Sequence, residues 1–333
     1  MNGRLRVGMA CATALALSGA AANAGNYKVP RLPDGTPDLQ GNWTNATATP
    51  VERSAELGTR RAYTDAEATA IEKTAQGAVE ADARPSDPNA KIQAGELPPV
   101  GNYNLFWTDR GMTVQVIGGE KRTSMIVEPA NGRIPDLTPE AKARAAARRA
   151  GPRTGFADGP EQRGVGERCL LSFGSSGGPP MLPTMYNSYY QIVQSPGYVT
   201  ILVEMVHDAR IIRLNDKQHT PSSVKKWMGD SIGHWEGDTL VVETVGFRPE
   251  QSFRGAAENM KVIERFTRTA PDQIDYRFTV EDPTVFTSSF TGELAFTPAN
   301  GNIYEYACHE GNYALPGILA AEREQEKAAA VKK

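Results

Sequence analysis

The sequence lacks an excess of positive charge, and it contains few cysteines and histidines. Its 333 residues hold 36 Lys and Arg against 39 Asp and Glu, which gives a formal net charge of -3, and the cationic residues are scattered along the chain. Proteins that bind nucleic acid neutralise phosphates with clustered Lys and Arg, so we expect no nucleic-acid partner. Hydrophobic residues make up 40% of the chain, a share typical of a globular protein.

Long apolar runs are also missing from the body of the chain. After residue 24, no stretch approaches the roughly 18 consecutive apolar residues of a membrane helix, so we expect no membrane span. At the start, Arg4 and Arg6 precede a weakly apolar run over residues 7–22, and Ala22-Asn23-Ala24 supplies small residues for a signal peptidase. This pattern predicts a Sec-type signal peptide over residues 1–24, cleavage before Gly25, and a mature protein that is periplasmic or secreted.

The chain has three cysteines, and the first, Cys11, lies inside the predicted signal peptide. Cys169 and Cys308 remain in the mature protein. An even number of cysteines in an oxidising compartment predicts a disulfide between them. The alternative is two buried free thiols, because cysteine is among the most frequently buried residue types.

Motifs for nucleotide cofactors and zinc proteases are absent too. The sequence contains no P-loop, no dinucleotide-binding glycine pattern and no His-Glu-x-x-His, so we expect no cofactor. Residues 174–178, Gly-Ser-Ser-Gly-Gly, match the formula of a nucleophile elbow around Ser176. That elbow needs a helix directly after the serine, and Pro179-Pro180 prevents one.

The second half of the chain has a regular alternation of apolar and polar residues. Nine short runs show it, at residues 190–194, 198–205, 210–215, 231–235, 239–245, 262–269, 273–280, 292–297 and 303–308. Turn residues such as Glu236-Gly237-Asp238 separate most of these runs. Nine strands at near-hairpin spacing predict an all-β fold, in which an antiparallel meander closes into an up-and-down, lipocalin-like barrel.

Two helices are expected before the meander. Thr64 and Glu67 form a capping box that predicts a helix to Glu80, and Thr138-Pro139 starts an Ala-rich helix that stops at Gly151. We therefore predict a single β-rich domain over residues 25–333, with peripheral helices and long loops. Its first part, to about residue 188, is helical and loop-rich, and the strand meander occupies residues 189–310.

Strand alternation places two carboxylates among apolar residues. Glu243 shares a strand face with two valines, and Glu264 shares one with a valine and a phenylalanine. A carboxylate inside a barrel can have a raised pKa and act as a general acid or base. We expect at least one of the two to face the interior together with a histidine. The alternative is that these faces are solvent-exposed, or that Arg213 and Arg277 pair with the carboxylates.

Three of the four histidines, His207, His219 and His234, lie close together in the sequence. Imidazole is the usual proton shuttle and metal ligand near neutral pH. The spacing matches no tight ligand motif, so we expect no metal; if one is bound, these three histidines are the predicted ligands. The alternative for His219 is a turn histidine that is hydrogen-bonded to nearby backbone.

The end of the last predicted strand, residues 304–313, places a histidine, two carboxylates and three tyrosines around Cys308. A disulfide would hold these groups rigidly, so the segment is predicted to form the rim of a pocket. The alternative is the plain end of a strand with its tyrosines on the barrel surface. The predicted substrate-binding residues are Tyr304, Tyr313, Arg213 and Trp235, and the predicted catalytic residues are His207, His234, Glu243, Glu264, His309 and Glu310.

Together these residues favour an enzyme that acts on a small organic molecule by acid–base chemistry, as a lyase, isomerase or hydrolase. A non-catalytic carrier of a small molecule is the alternative with the same architecture. A third hypothesis is an envelope protein that binds another protein through the loops at residues 81–103 and 151–183. The sequence indicates no oligomeric state.

Three segments resemble known proteins: Pro37–Trp43 (PDLQGNW), Trp235–Glu243 (WEGDTLVVE) and Cys308–Tyr313 (CHEGNY). They resemble a family of exported bacterial proteins that is widespread and mostly without assigned function. The resemblance covers nearly the whole mature chain, and it implies export and a single architecture but no reaction. The Gly-x-Trp of the first segment, with the meander, is similar to lipocalin-type barrels, in which the Trp plugs one barrel end; this likeness of fold assigns no function.

Overall fold

The computed structural model describes residues 27–84, 108, 110–150, 157–171, 178–184, 186–251 and 253–331. The predicted signal peptide and Ser176 lie outside these residues. In chain order the elements are β1 (Gly41–Thr44), α1 (Asp65–Asp82), β2 (Val116–Ile117), β3 (Glu120–Lys121), β4 (Ile126–Glu128), α2 (Pro139–Ala150), β5 (Tyr189–Ser195), β6 (Tyr198–Val203), β7 (Ala209–Leu214), β8 (Asp230–Glu236), β9 (Thr239–Val245), β10 (Lys261–Ala270), β11 (Gln273–Glu281), β12 (Phe290–Pro298), α3 (Cys308–Gly311) and α4 (Ala314–Val331).

A closed barrel of nine strands forms the centre of the fold, in the ring order β1-β5-β6-β7-β8-β9-β10-β11-β12. The short strand β1 closes the ring, because it pairs with β5 on one side and with β12 on the other. This confirms the prediction of an all-β barrel. Strand β4 adds a pairing to β12, and β2 and β3 form a separate small hairpin.

One neighbouring pair in the ring is parallel, which the predicted antiparallel meander does not contain. Strand β7 runs parallel to β8, with Ile212 opposite Ser231, whereas the other ring pairs are antiparallel. A closed ring with an odd number of strands cannot alternate direction at every step, so at least one parallel pair is required. Parallel neighbours need a crossover connection, and residues 215–229 provide it.

The predicted strand over residues 303–308 is wrong. The last strand, β12, ends at Pro298, and the chain then runs without regular structure to the short helix α3 at Cys308. The physical reason is that β1 already pairs with β12 and closes the ring, which leaves no barrel edge for another strand. The capping box on α1 is present as predicted, with the Thr64 side chain accepting from the Glu67 backbone N–H and the Glu67 side chain accepting from that of Thr64.

The barrel interior is a packed core. Alternate side chains of each strand point inward, as Val262, Glu264 and Phe266 of β10 do, and these three are almost completely buried. Aromatic rings fill much of the space, for example Tyr276 against Phe296 with centroids 5.3 Å apart. The interior is therefore occupied by the protein's own side chains.

Trp43 of β1 is part of this core. Its indole N–H donates to the Leu39 carbonyl at 3.1 Å, and the Arg268 guanidinium lies over its ring at 5.4 Å from the centroid. The side chain is 3% exposed, and a cation over an aromatic face adds a favourable interaction. The Gly-x-Trp segment therefore packs its indole into the hydrophobic core.

Candidate functional site

A cavity of about 610 Å³, here called the C-terminal cavity, lies outside the barrel. Its wall comes from three segments of the chain: Gly166, Glu167 and Cys169; Tyr186 and Asn187; and Glu305, Tyr306, Ala307, Cys308, Gly311, Asn312, Ala314, Leu315 and Ile318. Because none of these residues belongs to a barrel strand, the cavity is separate from the packed interior. Its volume falls in the range of roughly 300–1,000 Å³ that is typical of small-molecule sites.

A disulfide between Cys169 and Cys308 forms part of this wall and confirms the predicted pairing, with Cα atoms 5.7 Å apart. The Asn312 side-chain amide donates to the Glu167 carbonyl at 2.7 Å, across the same junction. The covalent bond and the hydrogen bond together hold the chain around α3 against residues 166–169. The cavity is therefore fixed on its C-terminal side.

Aromatic and aliphatic side chains supply most of the wall chemistry. Tyr186 and Tyr306 contribute phenol rings, and Leu315 and Ile318 of α4 contribute aliphatic surface. Burial raises the pKa of the Tyr306 phenol, and the neighbouring Tyr186 phenol raises it further. The Tyr306 phenol therefore stays neutral at physiological pH and can donate or accept a hydrogen bond.

The tip between β6 and β7 supports the cavity wall from behind. Glu204 is buried at this tip, and its Oε1 accepts from the Tyr304 backbone N–H at 3.0 Å. His207 Nδ1 lies 3.0 Å from the Tyr306 carbonyl oxygen. A carbonyl only accepts, so Nδ1 carries the proton and Nε2 is the basic nitrogen of the neutral ring. Two contacts therefore position the segment that carries Tyr306.

Asp208, at the same tip, was not identified as a site residue from the sequence. Its Oδ2 is buried and has no hydrogen-bond partner among the described residues. Burial raises the pKa of Asp208 to about 6, although the adjacent His207 opposes the shift. The residues before it, Val206 and His207, have φ angles of 62° and 48°, a left-handed conformation that is costly for a β-branched side chain. No signal in the sequence indicates this strain.

Glu264 faces the interior as predicted, but its partner is not a histidine. The carboxylate is 0% exposed and forms a two-point ion pair with Arg210 of β7. Tyr276 also donates its phenol to Glu264 Oε1 at 2.8 Å. The expectation of an interior histidine is wrong, because the inward-facing partner at this layer is an arginine that neutralises the carboxylate.

Of the two carboxylates, at least one of which was predicted to face inward, Glu243 lies on the outer face of β9. Its Oε1 is 3.2 Å from His219 Nε2, and His219 Nδ1 is 3.0 Å from Asp230 Oδ2. Asp230 is 1% exposed and also binds Arg213 at 2.7 Å and Lys226 at 2.5 Å. Arg213, predicted to bind substrate, is thus engaged by a buried carboxylate.

This outer cluster holds the crossover between β7 and β8 against the barrel. Burial works against the ionised carboxylate, but hydrogen bonds from Arg213, Lys226, Thr220 and His219 keep the pKa of Asp230 well below its ordinary value. The Thr220 backbone N–H and the His219 ring both belong to the crossover. The cluster therefore fixes the one connection that a parallel pair requires.

The six residues predicted as catalytic do not converge on one cavity. Glu264 lies inside the barrel, Glu243 lies on its outer face, and His207 lies behind the C-terminal cavity. The other predicted residues are exposed or lie elsewhere: His234 contacts Glu236 at 3.1 Å, His309 and Glu310 are exposed on α3, Tyr304 is 41% and Tyr313 is 84% exposed, and Trp235 lines a separate cavity of about 440 Å³.

The three histidines named as conditional metal ligands do not form a ligand set in the described part of the chain. His207 contacts a backbone carbonyl, His219 contacts two carboxylates and His234 contacts one. Within the described residues, one group of three has ligand atoms within 4.8 Å of one another, and it consists of Asp158, Glu322 and Glu326 on the surface. Arg323 already binds Glu326 there.

The fold and the cavity define a closed β-barrel protein with a ligand-sized cavity beside the barrel. No family model and no curated protein matches this chain. Among solved structures, part of the chain is similar to a secretary abundant heat soluble (SAHS) protein from Ramazzottius varieornatus, at 13% identity and a TM-score of 0.23, covering 33% of this chain and 70% of that one. A likeness this weak carries no argument. No helix in the described ranges is long and apolar enough to cross a membrane.

Proposed function

We propose that this protein binds a small organic molecule in the C-terminal cavity. The observation that carries the proposal is the cavity of about 610 Å³ itself, whose wall combines tyrosine rings and aliphatic side chains with a few polar groups. Small-molecule sites are usually preformed cavities of this size and composition. The disulfide supports the proposal further, because a fixed wall lowers the ordering cost of binding.

The variant Ile318→Trp tests this proposal by filling the cavity. The neutral fluorescent probe N-phenyl-1-naphthylamine should bind the wild-type protein with enhanced emission. Its affinity for the variant should be at least about tenfold lower, because an indole would occupy the volume that the probe needs. Ala321→Trp is the matched control, since Ala321 is exposed on the same helix and does not line the cavity. Equal affinities for wild type and Ile318→Trp would contradict the proposal.

A second candidate function is acid–base catalysis on the bound molecule, by a lyase, isomerase or hydrolase. The tip of His207 and Asp208, which lies behind Tyr306, favours it. A carboxyl with a pKa of about 6 is suited to proton transfer near neutral pH, and the His207 imidazole is adjacent to it in the chain. The strained backbone at Val206 adds support, because strain of this kind clusters at functional sites.

The variant Asp208→Asn should lose activity and gain stability at pH 8. The pKa of Asp208 is about 6 in the folded protein and about 3.9 in an unfolded chain. A group with a raised pKa contributes stability below the unfolded pKa, and this contribution is lost as the pH rises through the folded pKa. Asparagine cannot ionise, so it avoids that loss. Turnover of a substrate found by screening should fall about 100-fold.

The expected gain is about 2 °C in melting temperature at pH 8, or on the order of 1 kcal/mol once the partial exposure of the carboxyl is allowed for, and none at pH 4. Differential scanning calorimetry at both pH values measures it. Asp272→Asn, in an exposed turn, is the control and should show no gain. If Asp208→Asn and the wild type have the same melting temperature at pH 8, burial does not raise the pKa of this carboxyl. If turnover is unchanged, Asp208 takes no part in catalysis.

We also propose that the protein is exported to the periplasm or secreted, as a member of the family of exported bacterial proteins that its motifs resemble. The disulfide supports export, because such bonds persist in oxidising compartments. The positions of the three motifs support the family assignment. Trp43 is buried in the core, residues 235–243 span the turn between β8 and β9, and Cys308 anchors the cavity wall.

A further inference from the structure

We propose that the ligand of the C-terminal cavity is an organic cation, specifically an alkyl or aralkyl amine that is protonated at neutral pH. This inference rests on the proposed binding function and adds the chemical class of the ligand. It follows from the charges, the aromatic rings and the aliphatic surface that line the cavity.

The charged side chains of the wall all have one sign. Glu167 and Glu305 line the cavity, whereas no Lys, Arg or His is among the lining residues that the structure describes. An anionic ligand would therefore meet negative charge in the wall and no cation among these lining residues. Repulsion between the wall carboxylates and a negatively charged ligand lowers the affinity for that ligand, so the cavity disfavours carboxylates and phosphates.

The two carboxylates differ in their availability. Glu167 is already neutralised, because its Oε1 binds Arg163 at 2.5 Å and its Oε2 accepts from the Gly164 backbone N–H at 2.9 Å. Glu305 has an exposed side chain that makes no hydrogen bond or ion pair with the described residues. Glu305 is therefore the carboxylate that is free to pair with a cation at the cavity.

The aromatic residues of the wall complement this free carboxylate. Tyr186 and Tyr306 are both half-buried, and they approach each other closely enough to interact through their phenols. The face of an aromatic ring is negative, so an ammonium group held against tyrosine gains a favourable cation–π interaction. Tyrosine rings next to a carboxylate are a combination that recognises organic ammonium groups.

The aliphatic side of the cavity indicates what the ligand carries in addition to its ammonium group. Leu315 and Ile318 on α4, with Ala307 and Ala314 beside them, offer apolar surface. An inorganic cation would leave this surface without a partner, whereas the carbon skeleton of an amine would cover it. The expected ligand thus has a protonated nitrogen near Glu305 and a hydrocarbon part against α4.

Three probes of matched size test the charge preference: 2-phenylethylamine, 2-phenylethanol and 3-phenylpropionate. Each competes with N-phenyl-1-naphthylamine for the purified protein at pH 7 and low salt. The amine should bind at least about tenfold more tightly than the alcohol, and the propionate should bind most weakly. The advantage of the amine should shrink at high salt, because an exposed carboxylate is screened.

The variant Glu305→Gln should remove most of the advantage of the amine and leave the affinity for the alcohol unchanged. Glu310→Gln is the matched control, since Glu310 is exposed on α3 and does not line the cavity. An amine that binds no better than the alcohol, or an advantage that survives Glu305→Gln, overturns the cation proposal while cavity binding stands. Failure of the naphthylamine probe to bind the wild type overturns both.

Discussion

The substitution Arg210→Met should lower the free energy of unfolding by about 3–5 kcal/mol, the largest effect that we expect from a single side chain. Arg210 is 2% exposed, and its Nη1 donates to Glu264 Oε1 at 2.9 Å. Its Nη2 also donates to the Thr244 hydroxyl at 3.1 Å, and its Nε donates to the Ser231 hydroxyl at 3.2 Å. Methionine fills a similar volume, but it leaves the Glu264 carboxylate without its cation in the packed core.

Equilibrium unfolding in urea at pH 7 measures this effect. Arg265→Met is the matched control, because Arg265 lies on the outer face of β10 and pairs with Glu236 at 2.7 Å. Exposed pairs contribute roughly 0–1 kcal/mol, so the control should lose little stability. The double variant Arg210→Met/Glu264→Leu should be more stable than Arg210→Met alone, since it removes both charges. A single variant with wild-type stability would show that Glu264 does not need the arginine.

Removal of the disulfide should have the second-largest effect. The double variant Cys169→Ser/Cys308→Ser is expected to lose about 2–4 kcal/mol of unfolding free energy, with about 5 kcal/mol as the limit that chain entropy sets for cysteines 139 residues apart. The segment between the cysteines includes strands β5 to β12, so the bond restricts the unfolded chain over most of the barrel. The variant should also bind the naphthylamine probe more weakly, because residues 305–312 are no longer tied to residues 166–169.

Thermal unfolding and probe titration of the double variant measure these two effects separately. The wild-type protein treated with a reductant should reproduce both of them. Cys11 lies in the predicted signal peptide, so the mature wild type should show no free thiol under denaturing, non-reducing conditions. Unchanged stability together with unchanged probe affinity would mean that the bond neither restricts the unfolded chain nor holds the cavity wall.

The sequence was sufficient to predict those structural features that depend only on a local pattern of residues. The run 239–245 matches β9, because a period-two alternation follows a glycine turn at Gly237. Cysteine parity was sufficient to pair Cys169 with Cys308, since the chain after the predicted signal peptide has no other cysteine. Alternation predicted that Glu243 or Glu264 faces the interior, and Glu264 does. These inferences need no knowledge of which strands become neighbours.

The partner of Glu264 could not be predicted from the sequence. It depends on the order of the strands in the barrel and on which face of β7 points inward. In β7, Ile211 and Ile212 are adjacent and equally apolar, so alternation does not show whether Arg210 or Arg213 shares the inner face. In the folded protein Ile211 is 57% exposed and Ile212 is 0% exposed, which turns Arg210 inward. The contacts of His219 could not be predicted for a similar reason, because the sequence does not show which neighbouring strands are parallel and need the crossover that carries this residue.

The short strand β1 has a consequence for the order of assembly. Strands β5 to β12 follow one another in the chain as they do in the ring, so each can join its predecessor by closing a comparatively short loop. In strand β1, Trp43 pairs with Tyr190 and with Pro298, and each of these partners lies more than a hundred residues later in the chain. Non-local contacts form slowly, because the chain must lose the entropy of closing a long loop before any packing stabilises the contact. We therefore expect ring closure to be the late step of folding, and the fluorescence of Trp43 to report it.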